Sequence, residues 1–142
     1  MKASARNQFV GTVKEVRIGA VNAEVHIGLK GGEFIISTIT KDSADHLQIK
    51  VGMEVMALVK APQIIIVSDF GGYRLSARNQ LKGTVTEVKP GGVNSEVDIE
   101  LGGGDKVAAT VTNYSVETLG LRKGQAVTVV FKAGSVILAV AS

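Results

Sequence analysis

The chain has no cysteine and no tryptophan, its aromatic residues amount to only 4%, and none of its apolar runs is long. Without cysteine there can be no disulfide framework and no thiolate metal site, and nothing marks the chain as built for an oxidising compartment. Ile64-Ile65-Ile66-Val67 is among its longest apolar runs, far short of the roughly 20 residues a membrane-spanning helix requires. The opening segment Met1 to Gln8 carries no apolar centre of a secretion signal. A cytoplasmic protein with no membrane partner is expected. Charge of one sign is also scarce: 16 basic and 13 acidic residues are interspersed without runs, for a net +3. That favours an anionic partner only mildly and gives no basic tail for nucleic acid. The 142 residues, 45% hydrophobic, suffice for a packed core in one ordinary domain or two very small ones.

The most informative feature present is a duplication. Ser4-Ala5-Arg6-Asn7-Gln8 returns as Ser76-Ala77-Arg78-Asn79-Gln80, and the offset of 72 then holds without a gap. It aligns Gly11-Thr12-Val13 with Gly83-Thr84-Val85, Val21-Asn22 with Val93-Asn94, Glu24-Val25 with Glu96-Val97 and Lys60-Ala61 with Lys132-Ala133. About 28 of 64 aligned positions are identical, far beyond chance for one chain compared with itself. The repeats span residues 1–68 and 76–142, joined by a short, polar, glycine-containing connection at 69–75. A connection of that kind holds the two copies against each other rather than on a tether.

Within each repeat the apolar and β-branched residues alternate. The pattern predicts strands near Phe9 to Val16, Val21 to Leu29, Phe34 to Ile39, Glu54 to Val59 and Ile64 to Val67. Between the third and fourth, Thr40 to Leu47 suits a short amphipathic helix with Thr40 as N-cap, repeated from Thr112 through Leu119. Five strands with a helix after the third is the element order of an oligonucleotide/oligosaccharide-binding type barrel. The fold class is therefore all-β: two tandem OB-like five-stranded barrels, each with one short helix. So small a module buries little apolar surface alone, and a homo-oligomer is expected.

Catalytic chemistry finds little to work with. His26 and His46 are the only histidines, and Asp98 and Thr118 replace them in the second copy; no nucleophile and base recur as a pair. Glu24 and Glu96 do recur, but among apolar neighbours, where a cross-strand or N–H partner is the simpler reading. No metal-ligand spacing is present. Gly31-Gly32 and Gly102-Gly103-Gly104 lack the following Lys-Ser/Thr of a nucleotide loop and read as hairpin turns.

What recurs is a set of donors: Ser4 and Arg6, Thr40 and Ser43, and Lys60-Ala61, with Ser76, Arg78, Thr112, Ser115, Lys132 and Ala133 in the second copy. A dianion taken out of water needs its hydration replaced by hydrogen-bond donors and positive charge. The arginine and lysine supply charge, while the hydroxyls and backbone N–H groups at the helix start supply donors. Taken singly, Thr40 reads as a cap, Ser4 as a turn residue, and Arg6 and Lys60 as solvated charges; their joint recurrence is what favours a site.

The Ser-Ala-Arg-Asn-Gln motif, the Gly-Thr-Val after it, Gly-Ala-Val-Asn-Ala-Glu-Val at 19–25 and Lys-Ala-Pro at 60–62 resemble the molbindin family of molybdate-binding modules, and the likeness covers nearly the whole chain twice. The resemblance implies a non-catalytic protein that holds molybdate, or tungstate as its mimic, at interfaces between modules of a trimer, with no organic cofactor. It implies the twelve donor-set residues just named as ligands, and a second kind of site around Val21, Asn22, Val93 and Asn94. The copies differ at Pro62 and Gly134 and at Ala20 and Gly92, and Gln63 stands where related sequences often carry an aromatic residue; these changes bear on how alike the two affinities are.

The implied function is reversible oxyanion storage in molybdenum homeostasis. No Walker motif is present and no segment is left over for a helix-turn-helix, so a free-standing protein is expected rather than a transporter ATPase or a regulator. The alternative is a single-stranded nucleic-acid-binding barrel, which the fold and basic balance allow. Against it stands the 4% aromatic content, because such proteins stack bases on exposed rings.

Overall fold

A computed structural model describes all residues from Met1 to Ser142. The first repeat forms β1 (Asn7–Ile18), β2 (Asn22–Gly28), β3 (Phe34–Thr40), α1 (Lys41–His46), β4 (Glu54–Val59), a 3-10 turn at Ala61–Gln63, and β5 (Ile65–Val67). The second forms β6 (Asn79–Pro90), β7 (Asn94–Leu101), β8 (Lys106–Thr112), α2 (Asn113–Leu119), β9 (Ala126–Phe131), a 3-10 turn at Ala133–Ser135, and β10 (Ile137–Ala139). This is the all-β, two-unit architecture expected from the alternation. The two 3-10 turns were not legible in it.

The first strand of each repeat runs longer than its apolar pattern, because it serves two partners. Asn7 to Thr12 pair with β4, whereas Thr12 to Ile18 pair with β2, and the register slips between Val13 and Glu15. β6 repeats this, slipping between Val85 and Glu87. A bulge bends a strand and increases its twist, which turns each sheet towards a barrel. At the bend, a Cβ on Gly11 would lie 2.7 Å from the carbonyl oxygen of Gly28 and 2.5 Å from Ile27 Cγ2. Only a residue without a side chain lets β1 and β2 cross there.

The sheets do not follow the repeats. Their strand orders are β10-β4-β1-β2-β3 and β5-β9-β6-β7-β8. Each takes its fifth strand from the other half: Ile137 to Ala139 pair with Met56 to Leu58, and Ile65 to Val67 with Thr128 to Val130. The sequence repeat and the folded unit are therefore offset by one strand. The apolar faces of both sheets merge into one cluster of 24 buried residues, centred on Phe9, Val25, Ile27, Ile35, Val97, Ile99, Val129 and Phe131. Burial alternates along β2 and β7 with the two-residue period of a pleated strand, which leaves Glu24, His26, Glu96 and Asp98 on the outer face.

Candidate functional site

Thr40 and Thr112 are helix N-caps, as the sequence predicts. Each holds extended backbone, and its side chain accepts from the serine N–H three residues on, at 3.0 Å from Ser43 and 3.1 Å from Ser115. The hydroxyls of each pair also meet, Thr40 with Ser43 at 2.8 Å and Thr112 with Ser115 at 2.9 Å. Val21 and Asn22 lie beside the first of these caps: the Lys41 N–H donates to the Val21 carbonyl at 2.8 Å, and Asn22 is in register with Thr40. Val93 and Asn94 repeat the arrangement against Asn113 and Thr112. The segment read as a second kind of site thus adjoins the helix start. Both valines are about three-quarters exposed.

Arg6 and Arg78 lie elsewhere from the caps of their own repeats. Arg6 ion-pairs with Glu96, and Arg78 donates from Nη1 and Nη2 to Glu24 at 2.9 and 3.3 Å, so each arginine reaches across to the other half. Asn7 and Asn79 fix that crossing. Asn79 Oδ1 accepts from the Ile36 N–H at 2.7 Å and its Nδ2 donates to the Ile36 carbonyl at 2.8 Å, and Asn7 treats Ala108 in the same way. Lys60 and Lys132 are exposed and open the two 3-10 turns, with Ala61 and Ala133 buried behind them. The turn after Lys60 packs against β8, and the turn after Lys132 against β3.

The predicted residues are therefore re-sorted between halves. Arg6 reaches Glu96 on β7 while the turn after Lys60 packs on β8, the strand that ends at Thr112 ahead of Ser115 in α2; Arg78 reaches Glu24 on β2 while the turn after Lys132 packs on β3, which ends at Thr40 ahead of Ser43 in α1. No hydrogen bond joins either arginine or lysine to a Thr–Ser pair, and Ser4 and Ser76 are exposed ahead of their strands. A surface depression of about 510 Å³ beside Lys82, Thr84, Thr86 and Glu100 shares no residue with this set. A smaller one of about 310 Å³ includes Arg17, Asn22, Glu24 and Thr38.

Two features escaped sequence reading. Asn7 and Asn79 stand in step with the inward positions of β1 and β6 and are 1% exposed; a polar residue in an inward register, recurring in both copies, was the available signal. The second feature is the carboxylate on each arginine. Glu24 is held below the usual carboxylate range, first by its hydrogen bond with His26 and then by Arg78, against the opposing effect of burial. For Glu96 burial is the largest influence and pushes upward, but hydrogen bonds headed by Lys89 outweigh it and the carboxyl is lowered. Lys89 is in turn raised, chiefly by Asp98 and then Glu96.

Two small barrels that exchange strands, each carrying a capped Thr–Ser turn, define a tandem ligand-binding module with no cluster of metal ligands. The chain belongs to the TOBE domain family, whose model matches residues 3–66 and again 75–138, and it is a tandem of the molbindin type. A molybdate-bound crystal structure of the cytoplasmic molybdate-binding protein ModG is 49% identical and superposes with a TM-score of 0.97, over 99% of this chain and 100% of that one. The molybdenum transport protein ModE of Herbaspirillum seropedicae is 41% identical over 140 residues, and the molybdenum-pterin-binding protein MopA of Rhodobacter capsulatus is 40% identical over 139. These alignments take in 99% and 98% of this chain. The chain spans about half the length of the curated relatives it matches, 52% of each of these two. No helix is long and apolar enough to cross a membrane.

Proposed function

We propose that this chain binds molybdate, with tungstate as its mimic, reversibly and without catalysis, as a cytoplasmic store in molybdenum homeostasis. The observation that carries this reading is the end-to-end likeness to molybdate-bound ModG, at 49% identity and a TM-score of 0.97. The ligands are Ser4, Arg6, Lys60 and Ala61 with Thr112 and Ser115, and Ser76, Arg78, Lys132 and Ala133 with Thr40 and Ser43. A second kind of site lies at Val21-Asn22 and Val93-Asn94. The arginines and lysines neutralise the dianion, while hydroxyls and backbone N–H groups replace its hydration shell. Cavity size rejects the smaller sulfate. The assembly is a trimer, for which exposed Val10, Val21, Ile65, Val93 and Ile137 supply apolar contact surface.

Isothermal titration with molybdate, beside sulfate and phosphate, tests the reading on the wild type and on Arg6→Ala combined with Arg78→Ala. Binding that sulfate cannot compete away, and that the double variant loses, supports it. Absence of heat with every oxyanion overturns it.

A further inference from the structure

The two arginines on which oxyanion binding depends are not free cations. Glu24 takes two donors of Arg78, and Glu96 takes Arg6. The carboxylates are the more sheltered partners, 23% and 17% exposed, against 50% and 59% for their arginines. A tetrahedral dianion arriving at either guanidinium competes with a carboxylate for the same fork of N–H groups, and like charge disfavours sharing it. A displaced carboxylate then needs another cation.

Both repeats supply one, of different chemistry. Lys89 lies opposite Glu96 on the neighbouring strand, with Nζ 3.2 Å from Glu96, 3.2 Å from Asp98 and 3.7 Å from Glu87. Its charge is permanent near neutrality. The equivalent of Lys89 is Arg17, whose Nε pairs with Glu15 at 3.1 Å and whose Nη1 stands 4.0 Å from Glu24. The closest partner of Glu24 is instead His26, with Nε2 at 2.6 Å from Oε1. His26 Nδ1 faces Glu15, opposite it on β1, at 3.6 Å. From the other side, β3 sets Ile36 opposite His26 and Thr38 opposite Glu24, adding no charge. Where the second repeat has a lysine between carboxylates, the first has a histidine between Glu24 and Glu15, with Arg17 and Arg78 as the cations around them. Histidine is the side chain whose charge ordinarily changes between about pH 5 and 8.

We propose, resting on the oxyanion reading above, that Glu24 and Glu96 are the resident counter-ions of the two sites, released from Arg78 and Arg6 when the anion binds, and that His26 completes the release at Glu24 by taking up a proton while Lys89 completes it at Glu96 with a charge already present. The proton comes from the buffer, and the imidazolium it forms is held between Glu24 and Glu15. Anion binding at the Arg78 site is therefore coupled to proton uptake and strengthens as pH falls through the histidine range. Binding at the Arg6 site is not so coupled.

The test is titration of the full chain with sodium molybdate at about pH 7.5 in two buffers of different ionisation enthalpy, from which net proton uptake follows, repeated at about pH 6.5. The expected result is fractional uptake confined to one of two classes of site, lost in His26→Gln. Glu24→Gln is expected to tighten the Arg78 site by roughly three- to tenfold and remove its uptake, and Glu96→Gln to tighten the Arg6 site alone. Molybdate binding with no net uptake in the wild type, or a Glu24→Gln variant that binds more weakly, overturns this inference and leaves the oxyanion reading standing. No binding by any form overturns both.

Discussion

Asn7 and Ala108 are 101 positions apart in the chain, yet they exchange two hydrogen bonds, from Nδ2 to the Ala108 carbonyl at 2.9 Å and from the Ala108 N–H to Oδ1 at 2.7 Å. The side-chain amide acts as one rung of a β-ladder and closes the outer edge of β8 against the start of β1. Its twin, Asn79 on Ile36, does the same for β3. The two halves are thus clasped at equivalent points, beside the arginine that follows Ala5 or Ala77 in each motif.

Truncating the clasp leaves a backbone N–H and a C=O without their partners in a partly buried place, at a cost of about 1–3 kcal/mol. Asn7→Ala and Asn79→Ala are each expected to lower the unfolding free energy by about 2 kcal/mol. Urea titration measures it; a change within error would show that water replaces the amide freely.

Acid stability follows from the lowered carboxyls. Glu24 and Glu96 titrate below 4.5 in the folded chain and near 4.5 when unfolded, so above that value the folded state is favoured by their ion pairs. That contribution is lost as pH falls from about 4.5 through the folded values, where the folded state must take up protons against its ion pairs. Urea midpoints between about pH 7 and pH 3 are expected to drop at the acid end, and Glu24→Gln to flatten part of the drop. An unchanged slope in that variant would assign the loss to other groups.

The helix ends give a backbone test. Gly120 closes α2 in the left-handed region with φ 59°, and Gln48, at the aligned position after α1, holds φ 55° with a side chain. A left-handed non-glycine residue costs roughly 1 kcal/mol. Gln48→Gly is expected to raise stability by about that much, and Gly120→Gln to lower it similarly. Thermal unfolding of both variants checks the pair.

Strand exchange predicts the behaviour of a half. Residues 1–68 alone retain β5 but lose β9, its partner, and β4 loses β10. The half is expected to self-associate by trading β5 onto the β4 edge of a second copy. Sedimentation equilibrium would reveal dimers; a folded monomer would mean that β5 can return to its own β4.

How much of this was legible depends on the range of each interaction. The alternation that sets β2 and β7, and the Thr–Ser caps made within three residues, are local and could be read from the chain. The element order and the all-β class follow from the same short-range patterns, and the duplication from aligning the chain with itself at an offset of 72. The long first strands exceeded their apolar pattern because a bulge lets one strand serve two neighbours. The candidate ligands were legible as residue types, but not as groups.

The strands and helix caps are specified by neighbours a few positions away, and the two repeats with their recurring donors by the self-alignment at an offset of 72. Which half completes which sheet, which backbone Asn7 and Asn79 clasp, and the pairing of Glu24 and Glu96 with Arg78 and Arg6 emerge only in the folded chain. The reason is the duplication itself. Two nearly equivalent edges and two equivalent charge rows accept the same partner equally well in pattern. The choice falls to the path of the chain, where the turn at Ala61–Gln63 delivers Ile65 to β9 and the turn at Ala133–Ser135 delivers Ile137 to β4.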